Sequence, residues 1–316
     1  MKYKLSPIVL FTYNRAGHTK QTVEALKQNK LADISILYIF SDGAKNDEDI
    51  DKVNKVREYI NTINGFKKVI VIERQKNKGL ANSIISGVTE IIKKHGKVIV
   101  LEDDLITSNT FLCYMNNLLH EYKNEDKIYS ITAYNHSKKL MEIPKNYNYD
   151  IYFCPRACSW SWGTWKDRWK HVDWNIQNYN EFLKNKKLQR QFNKGGNDMS
   201  NMLISQMNNR IDSWAIRWCY HHFINRAYCV YPIKSYINNI GHDGSGIHCR
   251  SQNKFKNINL NNNASLKIPK TIQPNNKINK RFKKVYNKNY KKEFIIKLLK
   301  LLNLYNFYKK LKNKLI

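Results

Sequence analysis

The chain has 316 residues, 42% of them hydrophobic, enough for one large or two modest domains around a buried core, so global disorder is excluded. Its 55 Lys and Arg against 25 Asp and Glu give a formal charge of +30, which calls for something anionic nearby. No apolar run approaches the roughly 20 residues needed to cross a bilayer, so no transmembrane helix is expected.

The first hundred residues alternate strand and helix signals. Pro7 to Tyr13 is a continuous apolar run, the mark of a strand buried on both faces, and no signal peptide is expected ahead of it. A helix is predicted from about Gly17 to Asn29. A second strand, Ile34 to Phe40, ends in Ser41-Asp42-Gly43, and a helix from about Asp47 carries Ile50, Val53, Val56, Tyr59 and Ile60 at helical spacing. The third strand, Lys68 to Glu73, leads through Asn77-Lys78-Gly79-Leu80 into a helix with Ile84, Ile85, Val88 and Ile91. The fourth, Lys97 to Leu101, runs straight into Glu102-Asp103-Asp104. Such alternation predicts an α/β fold: a mostly parallel sheet with helices on both faces. In such sheets ligands bind beyond the carboxyl ends of the strands, where Asn14-Arg15, Ser41-Asp42-Gly43 and the acidic triplet all fall.

From Leu105 the alternation stops. A helix from Ser108 to Tyr122, a strand from Ile128 to Ala133 and a Trp-rich stretch predict a second subdomain, and all seven Trp lie between Trp160 and Trp218. The expected organisation is an α/β half at 1–105, a second subdomain at 106–249, a solvated or loosely packed basic connector at 250–290 and a basic amphipathic helix at 291–316. Six Cys without a repeating spacing read as reduced cytosolic thiols, and Cys154 and Cys158 have no matching pair to complete a zinc site.

Three adjacent carboxylates at a strand end repel one another unless a cation or donor hydrogen bonds offset them. Oxygen-only ligands suit Mn2+ or Mg2+ bridging protein and phosphates; a solvated acidic turn with Asp104 capping a helix is the plain alternative. Asn77-Lys78-Gly79-Leu80 is either a helix N-terminus that holds a phosphate or sugar hydroxyl, or an ordinary turn. Trp160, Trp162, Trp165 and Trp169 include helical i,i+3 and i,i+4 pairs that core packing explains, and sugars also stack on such rings. Gly241 to His248 holds three Gly in six residues and reads as a flexible loop. His221-His222 reads as helical packing or surface.

Four stretches together resemble the nucleotide-sugar glycosyltransferases of the GT-A fold: Pro7 to Arg15, Ser41-Asp42-Gly43, Val98 to Leu105 and Cys158 to Trp169. A weaker fifth covers Asp212-Ser213-Trp214 and Asn239 to His248. The pattern is similar to bacterial sugar transferases related to the eukaryotic N-acetylglucosaminyltransferase that initiates complex N-glycans. The resemblance implies a GT-A type, Rossmann-like sheet with a Trp-rich acceptor subdomain. It also implies an inverting, metal-dependent transfer from a nucleotide diphosphate sugar, with a UDP-sugar expected. Asp104 would hold the metal, with His248 a further ligand. Tyr13, Asn14, Arg15 and Asp42 would grip the nucleoside, and Glu102 and Asp103 the ribose or sugar. Lys78 and Gly79, Trp162 and Gly163, and His242 would line the donor, under a lid formed by the 241–248 loop. Asp212 would be the base that deprotonates the acceptor hydroxyl, a helix N-cap being its plain alternative and Asp198 and Asp173 the substitutes.

The charge is uneven. Residues 250–316 hold 19 basic residues and one acid, Glu293, a net of +18, which leaves +12 for residues 1–249. Lysines at 291, 292, 297, 300, 309, 310, 312 and 314 beside the stripe Phe294, Leu298, Leu301, Tyr305 and Tyr308 suit an anionic membrane surface; a helix docked on the protein is the alternative. The expected setting is the cytoplasmic face of the plasma membrane, with a glycan or lipid-linked glycan as acceptor. Two rivals are weaker. A nucleic-acid-binding protein would interleave basic and aromatic residues on one face, and no nucleic-acid partner is expected. A sugar nucleotidyltransferase would carry a Gly-rich phosphate loop, which Tyr13 to Gly17 matches poorly.

Overall fold

A computed structural model of the chain describes residues 3–244, 259–287 and 299. The predicted helix at 291–316 and His248 lie outside the described residues, Leu299 apart. The first half follows the expected alternation: β1 (Ile8–Thr12), α1 (Ala16–Lys27), β2 (Ile36–Ser41), α2 (Asp47–Ile60), β3 (Lys68–Glu73), α3 (Leu80–His95) and β4 (Lys97–Glu102). Local chemistry sets the helix ends. The Asn46 side chain accepts the Asp49 N–H and three acids fill the first turn of α2, while α3 stops at Gly96 in the left-handed conformation.

There follow β5 (Leu105–Thr107), α4 (Phe111–Glu121), β6 (Ile128–Thr132), β7 (Ile151–Cys154), β8 (Trp162–Trp165), α5 (Lys166–Trp169), α6 (Tyr179–Lys184) and α7 (Lys186–Phe192). The remainder comprises α8 (Met199–Met207), α9 (Trp214–Ile224), β9 (Tyr228–Pro232), β10 (Ile237–Asn239) and α10 (Asn276–Val285).

Eight strands form one sheet in the order β3-β2-β1-β4-β8-β6-β9-β7. The first four are mutually parallel, β8 runs antiparallel to both β4 and β6, and β9 lies parallel to β6 and antiparallel to β7. The sheet therefore crosses the boundary predicted at residue 105 without a break. Along β1 the side chains alternate, Ile8 and Leu10 into one apolar cluster and Val9 and Phe11 into another, so both faces are covered. The chain leaves β1 toward β2 on one side and reaches β4 on the other, which makes the β1/β4 carboxyl ends the switch point where such sheets open a crevice. The antiparallel β5–β10 pair sets Asn239 opposite Leu105 and so brings the residues after β10 over that crevice.

The segment expected as a loose connector is in part tightly packed. In α10, Ile278 and Phe282, one turn apart, are both about 1% exposed against Met141, Tyr152 and Tyr231. Leu266, Ile268 and Ile272 pack on the main core. Composition hid this, because a few apolar residues at helical spacing suffice to bury one face among many Lys and Asn. The five described cysteines, at 113, 154, 158, 219 and 229, are free thiols. No helix among the described residues is long and apolar enough to cross a membrane.

His222 on α9 is fully buried; its Nδ1 donates to the Trp218 carbonyl at 3.0 Å and its Nε2 accepts the Ser130 hydroxyl at 2.8 Å. Burial pushes its pKa down to about 3. The fold thus favours neutral imidazole, and that contribution is complete above the unfolded value near 6.5 and fades as pH falls toward 3. Urea unfolding should show stability dropping by on the order of 1 kcal/mol per pH unit below 6.5 from this group. A His222→Gln variant should lose that part of the slope.

Candidate functional site

Four segments meet at the carboxyl ends of β1 and β4. Arg15, which follows β1 and precedes α1, reaches across with Nη2 to both Asp103 and Asp104, the latter at 2.9 Å. Asp103 and Asp104 are 5% and 8% exposed, so this is a pairing inside the protein and not a surface contact. Thr22 on α1 ties the turn down: its hydroxyl donates to the Asp103 carbonyl at 2.8 Å and accepts the Leu105 N–H at 3.1 Å. From the far side the Ile240 N–H donates to the Asp104 carbonyl at 2.9 Å. Gly241 then lies so close that a Cβ there would stand 2.1 Å from Asp104 Oδ2.

The electrostatics follow from three acids facing one guanidinium. Burial, then Asp104 and Asp103, push the Glu102 carboxyl up to about 8 against the pull of Arg15. Burial likewise raises Asp103, to about 6, with Arg15 opposing and Asp104 adding. Burial works against the charge on Arg15, but Asp103 and Asp104 outweigh it and hold the guanidinium above its ordinary value.

A second group stands at the ends of β2 and β3. Both oxygens of the buried Asp42 accept the Lys78 N–H, at 3.1 and 3.0 Å, and the Asn77 amide donates to the Gly43 carbonyl at 2.7 Å. Asp42 is thereby the anchor of the turn that opens α3. The Lys78 side chain is exposed. Gly79 has φ 72°, a conformation that favours glycine, and a Cβ there would lie 3.8 Å from Asp212 Oδ2. Asp212 is exposed and does not cap α9; the Ser213 hydroxyl does, accepting the Ile216 N–H. The substitutes are engaged elsewhere. Asp198 forms a two-bond pair with Arg156 at 2.7 and 3.0 Å, and Asp173 accepts the N–H groups of residues 175, 176 and 177.

Tyr13 and Asn14 both turn to Asp49 in the first turn of α2, each at 2.8 Å. Those two bonds hold the Asp49 carboxyl below its ordinary value. Asp49 was not foreseen, although three acids at a helix start were the available signal.

Trp162 and Gly163 are not in the crevice. Trp162 is 0% exposed in β8, packed on Trp169 and Trp214 with ring centroids 5.3 and 5.0 Å away, so it offers no face to a sugar. Gly163 is a sheet position where a Cβ would meet the Val98 carbonyl at 3.0 Å. A break in alternation is the physical reason: residues 160 and 162 would share a face of a regular strand, but Ser161, with φ 51°, turns the chain so that Trp162 enters the core while Trp160 stays part-exposed. Trp160 lies edge-on to His242 at 5.2 Å, beside Gly241. His18 Nε2 lies 3.1 Å from Asp243 Oδ2, which brings α1 against the loop after β10. Of the predicted lid, residues 245–248 lie outside the described residues.

Residues 8–207 match the model of glycosyl transferase family 2. The chain belongs to glycosyl transferase family 2. The family is one of glycosyltransferases, and the strand order and layers of the chain are of the GT-A type. Asp212 and Gly241 lie past the matched residues of the family 2 domain. Among solved structures the chain is similar to S. aureus TarS (residues 1–349), at 10% identity and TM-score 0.42 over 74% of this chain and 60% of that one. It is also similar to the mannosyltransferase PcManGT of Pyrobaculum calidifontis in complex with GDP-Man and Mn2+, at 11% identity and TM-score 0.38, over 52% and 46%. A third is the galactosyltransferase LgtC with donor and acceptor sugar analogs, at 10% identity and TM-score 0.35, over 71% and 72%. The chain spans less than two thirds of the first two. No curated protein matches.

The site is tight at one glycine and open at another. Gly241→Ala inserts a methyl group against Asp104 and 3.2 Å from Arg15 Nη1, and should cost about 1–3 kcal/mol in denaturant unfolding. Gly17→Ala, with nothing within 4 Å and a place in α1, should be neutral or stabilise by about 0.5–1 kcal/mol.

Proposed function

We propose that the chain is a metal-dependent, inverting glycosyltransferase that moves a sugar from a nucleotide diphosphate donor, with a UDP-sugar as the expected form, to a hydroxyl of a glycan acceptor. The observation that carries this reading is the Arg15–Asp103–Asp104 group at the β1/β4 switch point, in a family 2 chain. That crevice is where a parallel sheet receives a nucleotide, and the group there combines a fixed guanidinium with carboxylates.

The donor set suits a hard divalent cation. It consists of carboxylate oxygens, and three acids stand against one guanidinium. Among the described residues no cluster of three or more His, Cys, Asp or Glu is built to cage an ion by itself. Mg2+ and Mn2+ sites of this kind use one or two carboxylates plus substrate phosphates, and Asp104 is the residue we assign to Mn2+ or Mg2+. When bound, the ion would offset charge on the departing diphosphate. Arg15 supplies a second positive group at the same place.

For the transfer itself the chain offers Asp212. An acceptor hydroxyl oxygen attacks the anomeric carbon, its proton passes to the Asp212 carboxylate, and the bond from that carbon to the diphosphate oxygen breaks. Asp212 has the access this needs, being exposed, free of capping duty and beside the start of α3. The N-terminus of α3 adds a partial positive charge toward the same region. Asp42 is a positioning residue here: it fixes the 77–79 turn through the Lys78 N–H. Tyr13 and Asn14, set by Asp49, would flank the nucleoside. The lipid-linked acceptor and the peripheral membrane setting rest on the basic sequence beyond residue 287.

Asp212→Asn should leave donor binding within about twofold and lower transfer by 10²–10⁴-fold, measured as nucleotide release with and without acceptor. Transfer at the normal rate would remove Asp212 from this role. Asp104→Asn should abolish turnover that depends on added Mn2+, and wild-type turnover that survives chelation would exclude the metal role.

A further inference from the structure

Two buried carboxylates within reach of one guanidinium nitrogen need a cation at all times, not only when a donor is bound. Arg15 is that cation: one nitrogen meets both Asp103 and Asp104, and its side chain is 17% exposed. Gly241 closes the other side of Asp104 without room for a methyl group. The opposite guanidinium nitrogen, Nη1, is buried and makes no hydrogen bond among the described residues. The pairing thus gives each carboxylate a charged donor and leaves the buried Nη1 unspent, a costly arrangement for a buried guanidinium nitrogen unless an acceptor is to come.

We propose that Arg15 is a resident counter-cation that competes with the divalent metal ion for Asp104, and that a diphosphate relieves the competition by taking the guanidinium. This rests on the donor-site reading above. A metal ion arriving alone must take Asp104 from Arg15, which leaves the guanidinium with Asp103 alone and its Nη1 still without an acceptor among the described residues. A metal ion arriving with a diphosphate meets no such cost, because the phosphate oxygens accept from the planar N–H fork of the freed guanidinium. Metal and nucleotide binding are therefore coupled through Arg15, and linkage makes the coupling the same in both directions. Arg15 also explains how the acidic turn stays folded without metal.

The test measures free Mn2+ by electron paramagnetic resonance during titration of the full chain, with and without UDP, and follows Tm with and without Mn2+. In the wild type Mn2+ alone should bind weakly, and UDP should tighten it by about tenfold or more. Arg15→Gln should bind Mn2+ alone about tenfold more tightly than the wild type, show a coupling to UDP reduced severalfold, and have a lower Tm that Mn2+ restores. Arg15→Lys, which keeps the charge, should retain weak binding of Mn2+ alone. If Arg15→Gln binds Mn2+ no more tightly than the wild type, or keeps the full coupling, the inference fails. If Asp104→Asn binds Mn2+ with UDP as the wild type does, the donor-site reading fails as well; if Asp104→Asn loses it and the Arg15 variants behave as wild type, only this inference falls.

Discussion

The placing of one guanidinium on two buried carboxylates constrains most of what surrounds the crevice. Asp103 and Asp104 sit where β4 ends, and Arg15 sits where β1 ends, so the pair is available only because the two strands are neighbours running the same way. Removing one partner of a buried pair of this kind typically costs about 3–5 kcal/mol, since the other charge is left without an answer. The surrounding chain is arranged to keep the geometry. Thr22 bonds the turn from below, Ile240 bonds it from above, and Gly241 gives up its side chain to let the loop after β10 close on Asp104.

The second group obeys a different constraint. Asp42 is buried and spends both oxygens on one backbone N–H, which fixes the turn into α3. Gly79 in that turn lies beside Asp212, so the turn fixed at the end of β2 stands next to the segment that leads into α9. Polar side chains from four distant stretches of sequence are thus brought together by contacts made in the sheet's carboxyl-end loops, as the architecture favours. The tryptophans serve this arrangement indirectly. Trp162, Trp169, Trp214 and Trp218 pack against one another and hold α9 to the sheet, and Trp160 stands against His242 in the loop after β10.

Much of this was legible in the sequence, for physical reasons that can be named. Continuous apolar runs that end in polar clusters marked β1, β2 and β4 and put Arg15, Asp42 and the triplet at one edge, because side-chain period and burial leave a direct trace in composition. What the periodicity did not carry was direction within the Trp-rich stretch. A single left-handed residue, Ser161, decides which tryptophan enters the core, and nothing in the spacing announces it. The partners of Tyr13 and Asn14 were equally hidden, because Asp49 is brought to them by the crossing of α2 over the sheet and not by any local pattern. The docking of α10 was masked by composition: two buried apolar residues in a ten-residue helix do not register against its lysines and asparagines. The +30 charge, suggestive at first of a polyanion-binding protein, divides into a basic C-terminal region and a body whose crevice is itself acidic.

The proposed uptake of a nucleotide diphosphate sugar together with a divalent cation by the β1/β4 crevice is tested most directly by release of nucleoside diphosphate from a panel of UDP- and GDP-sugars by the full chain, with Mn2+ and then with chelator. Release from at least one donor, dependent on the ion, is the expected result. Absence of both release and Mn2+-dependent binding for every donor in the panel would contradict it.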